Sequence, residues 1–334
     1  MIFCTPAFSM TEKSQTTGGK IMDNRFNRRD LIKSSFLLPL CAATAIEPRG
    51  VSASAQTPIK RVGGPKLKIS LNAYSFSKAL NDYNKGRGPG MTLFDLLEFC
   101  AKNDFEAVDP TGYFFPGYPA VPSNSFINQF KLKAFHLGLD ISGTGVRNNF
   151  ASPDKEARAA DVRHVKEWIE VAAKMGAPVI RVFAGPKPED HPWDEVAAWM
   201  VEDLKECVEV GKKYGVIVGI QNHWDFLKTS AQVIKIVKMV DSEWFGVIVD
   251  TGYFWQGTYD DIAAVIPYAV NWQIKEKLLG KESDVYVDMK KLIGIIRDGG
   301  YRGYIPIETL SVPDEEYDPK VRVVELLQKV RDAL

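Results

Sequence analysis

From residue 67 onward the chain repeats one pattern eight times, a short apolar run followed by a stretch with helical spacing, and few folds satisfy that repetition. The apolar runs occupy 67–72, 105–109, 139–143, 179–183, 216–221, 245–250, 269–275 and 304–308. Runs this short and this continuously apolar suit strands covered on both faces, as in a parallel sheet whose crossovers are helices. After the third run, Val162, Val165, Ile169 and Ala172 recur at three- and four-residue steps with charges between them, which gives a helix one apolar face. Another helix opens at His191-Pro192-Trp193 and continues through Val196, Met200 and Cys207. Gly176, Gly215 and Gly300 fall where helices should stop. Eight such units over about 270 residues predict an α/β fold, a (β/α)8 TIM barrel. A doubly wound open sheet would bring a glycine-rich phosphate loop after its first strand, where this chain has Asn72-Ala73-Tyr74-Ser75.

The segment before the barrel has a different character. Asn27-Arg28-Arg29-Asp30-Leu31-Ile32-Lys33 precedes an apolar run at 34–46, and Ala53-Ser54-Ala55 follows with small residues that a signal peptidase accepts. This order predicts a twin-arginine-type signal peptide over 1–55, a linker over 56–66, and one barrel domain over 67–334, exported to the periplasm. The apolar run is too short for a stable membrane anchor. Cys41 follows the bulky Leu40, which argues against lipidation.

Lys plus Arg and Asp plus Glu both total 42, and no long run of one sign occurs, so the basic footprint of a nucleic-acid binder is missing. Cys100 and Cys207 sit within apolar helical patterns and predict buried thiols rather than disulfides or zinc ligands. In a barrel of this kind, chemistry belongs at the carboxyl ends of the strands. Asn72, Asp109, Arg181, Gln221, Asp250, Gln273, Lys275 and Glu308 all lie at or near those ends. Period-two alternation adds His223 to the face of Gln221, and groups Asn271 with Gln273 and Lys275. Several charged side chains directed into one cavity imply a ligand or ion that offsets the cost of burying them. His223 can titrate near neutral pH and is expected to take part in the chemistry. His164 and His191 read as surface or capping residues. Tyr113, Phe114, Phe115 and Tyr118 in the loop after the second strand, and Trp255 after the sixth, could stack on a sugar face or pack a lid.

The strand ends Gly219-Ile220-Gln221-Asn222-His223, Val247-Ile248-Val249-Asp250-Thr251-Gly252, Trp272-Gln273-Ile274-Lys275-Glu276 and Ile305-Pro306-Ile307-Glu308 resemble those of the xylose isomerase-like TIM barrels, the sugar phosphate isomerases and epimerases related to ketose 3-epimerases. Equivalent positions in that family commonly read Glu-Asn-His, Asp-x-Gly-His, His-x-Lys-Asp and a final Glu. The resemblance implies a divalent metal held by Glu, Asp, His and Glu, with the two glutamates as proton shuttles. Here Gln221 stands for the first glutamate, Gln273 for the histidine, and Tyr253 for a histidine that often contacts substrate, while Asp250 and Glu308 match. The implied metal set is therefore Gln221, Asp250, Gln273 and Glu308, an all-oxygen set suited to Mn²⁺, Mg²⁺ or Ca²⁺ rather than to zinc.

The expected function is enolisation next to a carbonyl of a small carbohydrate, by an isomerase or epimerase. Glu308, His223 and Lys275 are the catalytic candidates, and Asn72, Asp109, Tyr113, Arg181, Tyr253 and Trp255 the substrate-binding ones. Losing the first glutamate makes a lyase that cleaves a 3-keto-glycoside by β-elimination the rival. The two substitutions also motivate a non-catalytic exported sugar-binding barrel. A barrel endonuclease would need a histidine-rich zinc cluster, for which His136, His164, His191 and His223 do not suffice. The expected partner is a small carbohydrate, with neither nucleic acid nor a membrane, and the chain is compatible with a homo-oligomer.

Overall fold

The computed structural model describes residues 57–334 apart from 224–225, 256–257, 279–284 and 312–315. The expected signal peptide, 1–55, lies outside the described residues. The part of the linker that is described, 57–65, is irregular chain tied down by Arg61, whose guanidinium donates to the carbonyls of Ile266 and Ala269.

The strands are β1 (Lys66–Asn72), β2 (Ala107–Asp109), β3 (Asp140–Ile141), β4 (Thr144–Gly145), β5 (Val179–Phe183), β6 (Ile217–Gln221), β7 (Phe245–Asp250), β8 (Ala269–Lys275), β9 (Lys277–Leu278), β10 (Val285–Tyr286) and β11 (Arg302–Glu308). The helices are α1 (Ser77–Asn84), α2 (Leu93–Lys102), α3 (Asn124–His136), α4 (Lys155–Met175), α5 (Trp193–Tyr214), α6 (Ser230–Val240), α7 (Thr258–Val265), α8 (Met289–Asp298) and α9 (Pro319–Arg331). Hydrogen-bonded neighbours run β3-β2-β1-β11-β8-β7-β6-β5-β4, and every pairing in this sheet is parallel. The two ends of that order, β3 and β4, are halves of one strand interrupted at Ser142-Gly143. A further parallel bridge, Thr111 to Gly145, spans the interruption, so the sheet curls into an eight-unit barrel as the alternation predicts. An antiparallel β9–β10 pair after the seventh unit is an addition that short apolar runs did not announce.

Local chemistry explains the boundaries. Thr92 with Asp95 and Thr229 with Gln232 form capping boxes at α2 and α6, and Asp154, Asp288 and Asp318 cap α4, α8 and α9. Gly176 and Gly215 end α4 and α5 at φ 86° and 71°, a conformation that costs glycine nothing. The helices turn the predicted apolar stripe inward, with Val162, Val165, Ile169 and Ala172 all buried. Cys100 and Cys207 are free and buried, and burial raises both thiols far above their ordinary pKa.

The third strand breaks for a reason visible in its neighbours. A Cβ on Gly143 would lie 2.8 Å from both Asn271 Nδ2 and Asp109 Oδ2, and one on Gly145 would lie 2.6 Å from Arg181 Nε. Polar side chains from three other strands cross the barrel at the places where this strand carries none.

Beneath the loop after β2, Trp168 is fully buried, packs against Phe115 and Tyr118, and donates through Nε1 to the Pro119 carbonyl at 3.2 Å. Trp168→Ala is expected to lower stability by roughly 3–5 kcal/mol. A urea midpoint unchanged from the wild type would contradict this account of the packing.

Candidate active site

Because a parallel barrel points all its strands one way, Asn72 of β1, Arg181 of β5, Gln221 of β6, Asp250 of β7, Gln273 and Lys275 of β8 and Glu308 of β11 gather at one mouth. All seven are at most 7% exposed. The pairing register sets Asp250 beside Gln273 and Lys275 beside Glu308.

At the floor, Gln221 Nε2 donates to Asp250 Oδ2 and to Gln273 Oε1, each at 2.7 Å. Asp250, an acceptor only, orients that amide, and the backbone N–H of Gly252 donates to its other oxygen at 2.9 Å. Asn222 clamps the Asp250 backbone from both sides, accepting from its N–H at 2.8 Å and donating to its carbonyl at 2.9 Å. The Lys275 ammonium donates to Glu308 Oε1 and lies 3.6 Å from Asp250 Oδ2. Burial alone would lower the Lys275 pKa, but attraction from Asp250 and Glu308 outweighs it and holds the lysine charged. Burial pushes Asp250 up to about 6, against the pull of Lys275.

A cavity of about 650 Å³ opens above this network. Its walls include Asn72, Tyr113, Arg181, Gln221, His223, Tyr253, Gln273, Lys275 and Glu308 from the predicted set. Asp109 and Trp255 are not among the lining residues. Asp109 lies buried behind, where Asn271 Nδ2 donates to it at 3.1 Å, and Trp255 is 42% exposed under the ammonium of Lys228. Of the loop aromatics, Tyr113 faces the cavity while Phe114 and Phe115 are core. His164 bonds the Tyr118 hydroxyl and His191 pairs with Glu195, as structural residues do.

His223 does not titrate near neutral pH as its type suggested. Burial, with Lys275 and Arg181 nearby, pushes it down to about 2, so it stands as a neutral imidazole, its ring 3.9 Å from that of Tyr253. Sequence reasoning also missed Arg147, Asn148 and Asn149, which line the cavity from the stretch before α4. Asn148 extends the sheet with its side chain, donating to the Phe183 carbonyl at 2.7 Å and accepting from its N–H at 2.8 Å. An Asn-Asn pair between two predicted elements was the available signal.

Comparison with known proteins agrees with this architecture. Residues 97–331 match the family described as xylose isomerase-like TIM barrel. Among curated proteins, an uncharacterised protein of Methanocaldococcus jannaschii is 28% identical over 113 residues, which cover 31% of this chain and 38% of that relative's length. A crystal structure of D-psicose 3-epimerase with D-tagatose from Clostridium cellulolyticum H10 superposes at a TM-score of 0.65 with 17% identity, covering 80% of this chain and 99% of the other. The 3-keto-D-glucoside 4-epimerase of E. coli superposes at 0.62 with 15% identity, covering 80% and 100%. A structure of the IolI protein with a bound zinc atom superposes at 0.61 with 14% identity, covering 80% and 96%.

The four residues implied as metal ligands do converge, but their arrangement does not fit a divalent cation. Gln221 turns its amide hydrogens, not its oxygen, toward Asp250 and Gln273, and a lysine ammonium already binds Glu308 and faces Asp250. Among the described residues no three His, Cys, Asp or Glu side chains are grouped to hold a metal.

Burial pushes the Asp109 carboxyl up to about 7, against the pull of Arg181. The folded state therefore keeps a proton that the unfolded chain releases near pH 4, and this contribution to stability is lost as pH rises through about 7. Asp109→Asn removes that loss. The variant is expected to gain roughly 1–4 kcal/mol on the wild type between pH 5 and pH 8, at about 1.4 kcal/mol per unit of pKa difference. Parallel urea titrations at the two pH values check it, and an equal difference at both would refute it.

Proposed function

We propose that this chain, which belongs to the xylose isomerase-like TIM barrel family, is an enzyme that enolises a small carbohydrate next to its carbonyl, with the Lys275 ammonium in the charge-balancing place of a metal. The observation that carries the proposal is the buried Lys275–Glu308 pair on the wall of the cavity, with Asp250 behind it. A carbonyl oxygen of the substrate accepts a hydrogen bond from Lys275, which loosens that lysine's hold on Glu308. The Glu308 carboxylate takes the proton from the neighbouring carbon, and the electron pair moves onto the carbonyl oxygen, where Lys275 stabilises the enolate. Return of the proton to the same carbon on its other face is epimerisation; its delivery to the former carbonyl carbon, with the α-hydroxyl proton passing to the former carbonyl oxygen, is isomerisation. Neutral His223 and Tyr253 stand in the same wall, where they hold hydroxyls rather than carry charge. The epimerases among the structural neighbours act on ketoses and keto-glycosides, the substrates that this chemistry requires.

A second reading has its own support. Glu308 is the one carboxylate lining the cavity among the described residues, whereas delivering a proton to the opposite face calls for a second acid. The same enolate could instead expel a substituent at the β carbon, cleaving a 3-keto-glycoside.

Solvent deuterium entering recovered substrate or product, with no aglycone released, is expected for epimerisation, and released aglycone for the lyase. A keto-sugar panel giving neither signal would leave a sugar-binding barrel. Glu308→Gln is expected to lower kcat by about 10²–10⁴ and Lys275→Met by about 10²–10³. Enzyme stripped with chelator should keep its activity and hold no stoichiometric metal on elemental analysis. Activity that vanishes with the chelator and returns with Mn²⁺ would overturn the role given to Lys275.

A further inference from the structure

We infer that the substrate carries an anionic oxygen group, a carboxylate or a phosphate, and that Arg181, flanked by Arg147, receives it. This rests on the carbohydrate reading above and adds the charge of the molecule and the wall it faces.

Arg181 is 5% exposed at the mouth of β5. Its Nη2 donates to the Tyr113 hydroxyl, and its guanidinium carbon lies 4.0 Å from the Phe183 ring centroid and 5.4 Å from that of Tyr113. Nη1 is buried and has no hydrogen-bond partner. Among the described residues no carboxylate oxygen lies within 4.0 Å of this guanidinium. A buried cation left without a counter-ion is costly, and a ligand anion offsets that cost where a neutral oxygen does not. The backbone makes room for the arrangement, since a Cβ at Gly145 would lie within 2.6–2.9 Å of Nε, Nη2 and Cζ.

The surroundings have the same sign. Arg147, exposed at the cavity's edge, holds its guanidinium 5.2 Å from the same Tyr113 ring. Among the described residues the lining therefore brings Arg147, Arg181 and Lys275 against a single carboxylate, Glu308, which Lys275 already engages. Asp109 behind Arg181 is protonated for part of the time at neutral pH and supplies less than a full negative charge. Two other unsatisfied groups on the wall are of the opposite kind. Gln221 Oε1 and Asn149 Oδ1 are buried acceptors without partners on the same wall, and they suit hydroxyl donors. Acceptors for hydroxyls and one uncommitted cationic donor together describe a polyhydroxylated acid. Charge-assisted hydrogen bonds are about twice as strong as neutral ones, so this contact sets the preference.

Calorimetric titration with D-fructose, D-fructuronate and D-fructose 6-phosphate tests it, because the three differ only at one terminal carbon. One charged sugar is expected to bind at least about tenfold tighter than fructose, and which one does so identifies the group. Arg181→Gln should abolish that preference by costing the charged sugar at least about tenfold more affinity than it costs fructose, and Arg147→Gln, at an exposed position, should narrow it by about two- to fivefold. The Arg147 variant keeps the test readable should the Arg181 variant fail to fold. Equal binding of all three sugars, no binding of either charged sugar, or equal losses for charged and neutral sugars in the variants would overturn the inference. Deuterium exchange on the same sugars separates the two proposals. Exchange without a charge preference sinks this one alone, and a charge preference without exchange sinks enolisation alone.

Discussion

A lysine ammonium sealed between two buried carboxylates governs how the mouth of this barrel is built. Lys275, Asp250 and Glu308 each come from a different position on adjacent strands, and none could be buried singly without a large desolvation cost. Together they satisfy one another, and the neutral amides of Gln221 and Gln273 complete the cup without adding charge. Two carboxylates, two amides and a cation form a closed electrostatic unit, whereas a cage of carboxylates and imidazole would await a metal. The glutamine amides at 221 and 273 and the inward lysine at 275 therefore form one hydrogen-bonded, charge-balanced set with the two carboxylates.

That unit exists because the barrel holds its strands in a strict register. Asn222 pins the backbone at Asp250, and the Thr251 hydroxyl accepts from the backbone N–H of Lys275 at 2.8 Å. These contacts leave the polar side chains of the mouth little freedom to rearrange, which is how a rigid scaffold preorganises a polar site. The broken third strand plays the complementary part, giving up side chains at Gly143 and Gly145 so that Asp109, Asn271 and Arg181 can reach across the interior. Regular packing is sacrificed there in favour of polar side chains that a fully apolar barrel would exclude.

Much of the architecture was legible in one dimension. A strand buried on both faces reads as an unbroken apolar run, and a covering helix reads as a stripe at 3.6-residue spacing, so the order of elements follows from periodicity alone. Strand-end positions then name the charged and amide side chains at the cavity's floor, because parallel strands deliver their carboxyl ends to one side. What escaped were contributions without a period. Arg147, Asn148 and Asn149 lie in irregular chain, and the burial of Asp109 behind the wall depends on a gap left by a glycine on another strand.

Residue type and order thus determined the barrel, the end at which polar side chains meet, and the residue types gathered there. The tertiary structure decided what those side chains do to one another. Whether Lys275 faces substrate or two carboxylates, whether His223 is charged, and whether Arg181 finds a counter-ion all depend on distances of a few ångströms in a medium of low dielectric. Coulomb and desolvation energies vary steeply over that range, and adjacency along the chain does not encode them.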